Sequence, residues 1–82
     1  MSIESMRREI DAIDNELIAL LDRRFALSVA IGEEKKKEER SVEDGRREEE
    51  ILARIRERSA GRGEEIAELY ATLFELSRRL QR

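Results

Sequence analysis

The chain has 82 residues, 39% apolar and 45% charged, which is enough for one small domain with a thin apolar core. It contains no cysteine and no histidine, which excludes disulfides, thiolate or imidazole metal sites and the common nucleophile-activating pairs. A net charge of −3 gives no uniform positive field for nucleic acid, and without a long apolar run or a signal peptide we expect a soluble, cytoplasmic protein with no membrane contact.

The first predicted helix, α1, runs from about residue 3 to about residue 40. Its apolar residues keep a spacing of three and four, typical of an amphipathic helix. They are Ile3, Met6, Ile10, Ile13, Leu17, Leu20, Leu27 and Ile31, called here the α1 stripe. At 1.5 Å per residue the helix is a rod of roughly 55 Å, too long for the rest of so small a chain to cover. Oligomerisation is the means of stabilisation that remains open to this chain.

Arg24 occupies the position between Leu20 and Leu27 where the spacing calls for an apolar residue. A cation on the buried face of a helix costs several kcal/mol unless an anion meets it, and the α1 stripe itself offers no anion. Lys35 follows three turns later on the same face. Packing alone therefore does not explain the two cations.

Two shorter helices complete the prediction of an all-α chain with three helices. Residues 41–44 fit a capping box that opens a second helix over about 42–59, with Ile51, Leu52 and Ile55 as its apolar face. A loop at 59–63 with two glycines precedes a third helix over about 64–81. The apolar face of that helix is formed by Ile66, Leu69, Tyr70, Leu73, Leu76 and Leu80.

Polar residues interrupt the apolar faces of all three helices, always towards one end. They are Arg24 and Lys35 on the first helix, Asp44, Arg47 and Glu48 on the second, and Ser77 and Gln81 on the third. Such a set can surround a small polar anion, because guanidinium groups bind carboxylates and a carboxylate remains to accept from a hydroxyl.

Arg7 lies 17 residues before Arg24, which is about 25 Å along a helix, so both cannot contact one small ligand within one chain. Either Arg7 is an ordinary surface arginine, or it reaches the site of a second chain that runs antiparallel. A second chain in that position would also cover the α1 stripe. This interpretation predicts an interlocked homodimer with two sites, each completed by Arg7 of the other chain.

A longer series of residues carries a family resemblance. It comprises Met6-Arg7-Arg8-Glu9-Ile10-Asp11, Ile13-Asp14, Leu17-Ile18, Leu20-Leu21, Arg23-Arg24, Ile31-Gly32 with Lys35, Val42-Glu43-Asp44 with Arg47-Glu48, and finally Ser77 and Gln81. In order and in spacing, the series resembles the all-helical (AroQ) class of chorismate mutase over nearly the whole chain.

The resemblance implies an isomerase of the shikimate pathway of aromatic amino acid biosynthesis. It would convert chorismate to prephenate by a unimolecular Claisen rearrangement, with no cofactor and no metal. By similarity, Lys35 and Gln81 donate to the ether oxygen, and Glu48 accepts from the ring hydroxyl.

The same resemblance implies a set of substrate-binding residues. Those that hold the two carboxylates are Arg24, Arg47 and Arg7 of the second chain, with Ser77 assisting one of them. Asp44 matches a further polar position, and the backbone near Ile31 lines the pocket.

Taken singly, most of these residues also have plainer explanations. Arg24 could extend its charged end to solvent, and Lys35 could belong to a solvated charged run. Asp44 could act only as a helix cap, and Glu48 could pair with Arg47. Ser77 could bond to a backbone carbonyl, and Gln81 could lie in a frayed last turn. The sequence also departs from the family pattern, with Ser41 where proline is common, Gly45 after the aspartate, and Glu33 and Glu34 close to Lys35.

Two other functions fit the sequence. Isochorismate pyruvate lyase has the same fold and arginine clamp and eliminates pyruvate in a related pericyclic step. Glu48 and its pairing with Arg47 favour the mutase over it. A non-catalytic helical dimerisation module would carry the polar residues as tolerated exceptions.

Overall fold

The computed structural model describes all 82 residues, as three α-helices joined by two short connections. α1 spans Ile3–Lys37, α2 spans Gly45–Arg58 and α3 spans Gly63–Gln81. The prediction of an all-α chain with three helices and a very long first member is confirmed. None of the helices combines the length and the apolar character needed to cross a membrane.

α1 begins with reciprocal hydrogen bonds between two serines. Ser2 Oγ accepts from the Ser5 backbone N–H at 3.1 Å, and Ser5 Oγ accepts from the Ser2 backbone N–H at 3.2 Å. At the other end, Glu39 has a φ of 57°, in the left-handed region that a helix cannot continue through. The helix therefore ends at Lys37, earlier than the predicted residue 40.

α2 begins at Gly45, so the predicted start at residue 42 is wrong. The N-cap is Asp44, whose Oδ1 accepts from the Arg47 backbone N–H at 3.0 Å. The predicted capping box opened by Ser41 does not form, because a carboxylate three residues later supplies an equally good cap. Val42 stays in the connection, where its carbonyl accepts from Lys35 Nζ at 2.9 Å.

α3 packs against both α1 and α2 and is the central helix of the chain. The molecule measures 54 × 24 × 15 Å, and its long dimension matches the length of α1 at 1.5 Å per residue. Only two apolar side chains are buried, Ile51 of α2 and Phe74 of α3. The apolar core of one chain is therefore thin, as expected for this length.

The face of α1 that packs inward is not the α1 stripe. The least exposed residues of its second half are Leu21, Arg24, Phe25, Ser28, Gly32 and Lys35. Every member of the α1 stripe is exposed, from 38% for Met6 to 62% for Leu27. Arg24 therefore lies at the edge of an open apolar stripe, on the side towards α3, and not within a stripe that its own chain buries.

The inward face of α3 also differs from the predicted one. Phe74 and Ser77 are buried, whereas Leu69 and Leu80 are exposed at 68% and 42%. Leu69 and Leu80, which the sequence placed on the apolar face of this helix, are therefore not covered within one chain. Stripes of the same spacing run through 69, 73, 76 and 80 and through 70, 74, 77 and 81, and the less exposed predicted positions Tyr70, Ser77 and Gln81 belong to the second. The second stripe faces the other helices, with Tyr70 and Phe74 packed edge to face at 5.8 Å between ring centroids.

Candidate active site

A cavity of about 420 Å³ opens between the second half of α1, the start of α2 and the end of α3. Eight residues that the sequence singled out line it, namely Arg24, Ile31, Lys35, Asp44, Arg47, Glu48, Ser77 and Gln81. Its volume is in the range of small-molecule sites. Residues from three helices thus come together as the sequence predicted, while their roles toward a substrate remain predictions.

Positive charge dominates the lining of this cavity. The cations are Arg24, Lys35, Arg40, Arg47 and Arg78, and the carboxylates are Asp44 and Glu48. Five positive and two negative groups leave an excess of three positive charges, in a chain whose net charge is −3. A concave surface with this local excess attracts small anions even though the whole chain repels them.

Arg24 is half-buried and is held by neutral groups. Its Nη1 donates to Ser77 Oγ at 2.9 Å, and its guanidinium carbon lies 5.5 Å from the centroid of the Tyr70 ring. None of the ion pairs within the chain includes Arg24. Its charge therefore remains available to an anion in the cavity, and it does not snorkel to open solvent.

Ser28 supports this arrangement and was missed by the sequence analysis. Its hydroxyl lies 3.1 Å from the Arg24 carbonyl and 3.2 Å from Ser77 Oγ, and its one proton can be donated to either oxygen. Both serines are buried, so their mutual contact orients the hydroxyl that holds Arg24. The available signal was the position of Ser28 four residues after Arg24, on the same side of α1.

Lys35 and Gln81 form the second polar contact between α1 and α3. Lys35 Nζ donates to Gln81 Oε1 at 2.7 Å and to the Val42 carbonyl at 2.9 Å. Because an ammonium only donates, the Gln81 amide presents its oxygen to Lys35 and keeps its NH₂ group for another acceptor. Lys35 has three N–H bonds and uses two, so one donor remains.

Gly32 allows the end of α3 to approach α1 closely. A Cβ atom at Gly32 would lie 2.5 Å from the Gln81 carbonyl oxygen and 2.6 Å from its Cα. α3 stays helical through Gln81, in contrast to the frayed turn considered from the sequence. The contact holds the Gln81 side chain near Lys35.

The polar residues at the start of α2 agree with the sequence analysis for Asp44 and differ from it for Glu48. Asp44 caps the helix and also lines the cavity. Arg47 lies 3.7 Å from Glu50 on the exposed side, so the pairing of Glu48 with Arg47 is not observed. Glu48 Oε2 instead accepts from Arg78 Nη1 at 2.5 Å.

Arg78 was not singled out from the sequence, although it lines the cavity. Its hydrogen bond to Glu48 is the main reason that the pKa of Arg78 is raised above its usual value. The guanidinium therefore remains a cation throughout the working range of a protein. Arg40, near the start of the α1–α2 connection, is another lining cation that the sequence analysis did not single out.

Arg7 is not part of the cavity. It is exposed near the beginning of α1, in the same continuous helix as Arg24 and about 25 Å from it at 1.5 Å per residue. Within one chain the structure therefore separates Arg7 from the other predicted site residues. No group of three or more acidic residues lies close enough together to hold a metal ion.

Comparisons with known proteins address the fold and the family. A family model described as chorismate mutase type II matches residues 6–82. Among solved structures, a conserved hypothetical protein from Pyrococcus furiosus is similar, with a TM-score of 0.83 and 38% sequence identity over 98% of this chain and 95% of that chain. No curated protein matches the sequence.

Proposed function

We propose that this chain, which belongs to the chorismate mutase type II family, rearranges chorismate to prephenate as a step of aromatic amino acid biosynthesis. The observation that carries the proposal is the cationic cavity lined by eight of the residues that the sequence singled out. The rearrangement is unimolecular and pericyclic, so it needs no nucleophile and no proton shuttle. It therefore suits a chain without cysteine or histidine.

The first role of the cavity is to select a reactive conformation. Chorismate carries two carboxylates and must fold its enolpyruvyl arm over the ring before the new bond can form. Arg24 and Arg47 clamp the carboxylates, with Ser77 as an additional donor. Clamping both ends favours the compact, near-attack conformation and lowers the entropic part of the barrier.

The second role is to stabilise charge at the ether oxygen. As the carbon–oxygen bond breaks, negative charge grows on that oxygen, and donors fixed beside it stabilise the transition state more than the ground state. The remaining N–H of Lys35 and the free NH₂ group of Gln81 serve as these donors. Their mutual hydrogen bond at 2.7 Å supports this assignment, because it brings both groups to one point of the cavity.

Glu48 accepts from the ring hydroxyl of the substrate. Its Oε2 accepts from Arg78, while Oε1 has no hydrogen-bond partner within the chain and is not buried, and the residue lines the cavity. An ionised carboxylate can accept through both oxygens, so one remains for the hydroxyl.

The proposal includes an interlocked homodimer that runs antiparallel along α1. The α1 stripe is exposed along its whole length and the chain buries only two apolar side chains, so a second copy is the natural cover. Such a dimer would bring Arg7 of one chain to the cavity of the other. A folded monomer in sedimentation equilibrium would remove this role of Arg7.

One assay tests the function. Purified protein is incubated separately with chorismate and with isochorismate, and the products are identified. Prephenate from chorismate is the expected result. Pyruvate with salicylate from isochorismate would instead indicate the lyase, and no product from either substrate would indicate a non-catalytic dimerisation module.

A further inference from the structure

The ion pair between Arg78 and Glu48 differs from every other ion pair in the chain. Its two side chains are only 28% and 27% exposed, whereas no side chain in any other pair is less than 55% exposed. Exposed pairs of that kind contribute little, because water and salt screen them and their side chains lose conformational freedom. The half-buried pair of Arg78 and Glu48 therefore requires an explanation of its own.

The pair connects two helices across the wall of the cavity. Arg78 follows Ser77 on α3, Glu48 lies in the first turn of α2, and the two are 30 residues apart in the sequence. Both side chains line the cavity. The guanidinium therefore acts on the carboxylate at the point where a ligand would meet it.

We propose that Arg78 is a positioning residue for the reaction: it holds Glu48 through Oε2 and so directs Oε1 to the ring hydroxyl of the substrate. The inference rests on the function proposed above and names a residue to which neither the sequence pattern nor the family resemblance assigned a role. A glutamate side chain has several rotatable bonds, so an unrestrained Glu48 would sample many orientations. A fixed partner selects one of them before the substrate arrives.

Arg78 also compensates for the charge of Glu48. An isolated carboxylate in the cavity would repel a substrate that carries two negative charges. With Arg78 present, the Glu48–Arg78 pair is neutral and the remaining lining keeps its positive excess. Removing Arg78 is therefore expected to raise KM through repulsion as well as to lower kcat through lost orientation.

The test is a double-substitution cycle with the variants Arg78→Ala, Glu48→Gln and the combination of both. We expect Arg78→Ala to lower kcat/KM for chorismate by about 10- to 100-fold, the range found when a group that orients a reacting side chain is removed. We expect kcat of the double variant to match kcat of Glu48→Gln alone, because the orienting effect of Arg78 acts through Glu48. Arg78→Lys, which keeps a cationic donor, is expected to recover part of the loss.

A matched control is available at the next residue. Arg79 pairs with Glu75 on the exposed side of α3, where both side chains are more than 60% exposed, so Arg79→Ala removes the same charge away from the cavity. Its kcat/KM is expected to stay within about twofold of the wild type, since exposed pairs are worth little. Thermal unfolding of each variant sets an assay temperature at which all are folded.

The outcomes separate this inference from the function on which it rests. Wild-type protein that converts chorismate, with an Arg78→Ala variant that is equally active, overturns the role of Arg78 alone. If the losses of kcat in the two single variants multiply in the double variant, the role of Arg78 is also overturned, because Arg78 would then act independently of Glu48. Wild-type protein without activity on chorismate overturns both the proposed function and the role of Arg78.

Discussion

The two halves of α1 belong to one regular helix but have different surroundings. In residues 3–20 every apolar side chain is exposed, and no residue is buried. In residues 21–37 the inward side of the helix packs against α3, and Arg24 and Lys35 line the cavity. The second half meets its own chain and carries polar chemistry. The first half presents an apolar surface that only another molecule can cover.

The contrast indicates how an 82-residue chain can combine a site with a thin core. In the well-packed part of α1, the polar residues are held by α3. Ser77 accepts a hydrogen bond from Arg24, and Gln81 accepts one from Lys35. The uncovered half adds little to stability within one chain, because its apolar surface stays in water. Four predictions test this division.

The largest expected effect concerns two donors, Lys35 in the second half of α1 and Gln81, the α3 residue to which Lys35 is hydrogen-bonded. Lys35→Ala and Gln81→Ala should each lower kcat by about 100- to 1,000-fold, the loss typical of one donor to a developing oxyanion. The free energy of unfolding should fall by only about 1–3 kcal/mol, because Gln81→Ala removes one hydrogen bond with a charged donor and Lys35→Ala removes two, all of them part-exposed. Steady-state kinetics and denaturant unfolding measure the two effects.

The neighbouring Lys36→Ala is the control for these variants, since its side chain is exposed and makes no hydrogen bond or ion pair. It should leave both activity and stability close to those of the wild type. Parallel losses of activity and stability in the Lys35 and Gln81 variants would contradict a catalytic role for these residues.

The next effect concerns the first half of α1. Ile13→Glu places a charge in the middle of the α1 stripe, at a side chain that is 59% exposed within one chain. If a second copy covers the stripe, the charge is buried without a partner, so the dimer should dissociate and activity should fall at least about 10-fold. Sedimentation equilibrium and kinetics measure both.

Asn15→Glu is the matched control, because it adds the same charge on the opposite, exposed side of the helix. It should leave the sedimentation and the activity unchanged. If both glutamate variants behave alike, the α1 stripe is not an interface between copies of the chain.

A mixing experiment tests whether Arg7, in the first half of α1, completes the site of another chain. Arg7→Ala and Lys35→Ala are expected to be nearly inactive alone, yet an exchanged dimer of the two contains one complete site. Equal amounts should regain about a quarter of wild-type activity, because half of the dimers are mixed and each has one intact site of two.

Mixing Arg24→Ala with Lys35→Ala is the control, since both residues line the cavity of the same chain. No exchanged dimer of this pair has a complete site, so no recovery is expected. Equal behaviour of the two mixtures, after native mass spectrometry has verified exchange, would show that Arg7 does not act in the other chain's site.

The smallest effect concerns the contact that closes the second half of α1 onto α3. Gly32→Ala puts a Cβ 2.5 Å from the Gln81 carbonyl oxygen, so one of the two helices must shift. Overpacking of this kind costs about 1–3 kcal/mol of unfolding free energy, against about 1 kcal/mol gained from helix propensity. The variant should therefore lose up to about 2 kcal/mol of unfolding free energy relative to the wild type, which denaturant unfolding measures.

Gly45→Ala serves as the control, because nothing lies within 4 Å of the Cβ that it would add. This variant should be as stable as the wild type or slightly more stable. If Gly32→Ala matches it, the approach of α3 to α1 is not limited by the glycine.

Much of the fold followed from local patterns. The apolar spacing of three and four, a capping signal over residues 41–44, and the glycines at residues 61 and 63 are enough to separate three helices, because all of them act within a few residues. The end of α1 and the start of α2 differ from the predicted residues by three residues each. The end of α1 depends on the left-handed backbone of Glu39, and the start of α2 depends on which of two good capping residues is used.

The placement of the candidate site residues was largely predictable for the same reason. Periodicity puts Arg24 with Lys35, and Ser77 with Gln81, on single faces of their helices, and the structure turns these faces toward one cavity. Arg78 was missed because it is one of two adjacent arginines, and their sequence context does not distinguish the one that faces Glu48. Ser28 was missed because the α1 stripe does not include it; Ser28 lies on the neighbouring face of α1, which packs inward.

The sequence by itself determined three helices, an apolar stripe along α1, and polar residues grouped toward one end of each helix. Only the tertiary structure decided which side of α1 and α3 faces inward, which cation meets Glu48, and how Gln81 is oriented by Lys35. The physical reason is that two stripes of equal spacing can share one helix. Their neighbours in space, which periodicity does not specify, determine which of the two is buried.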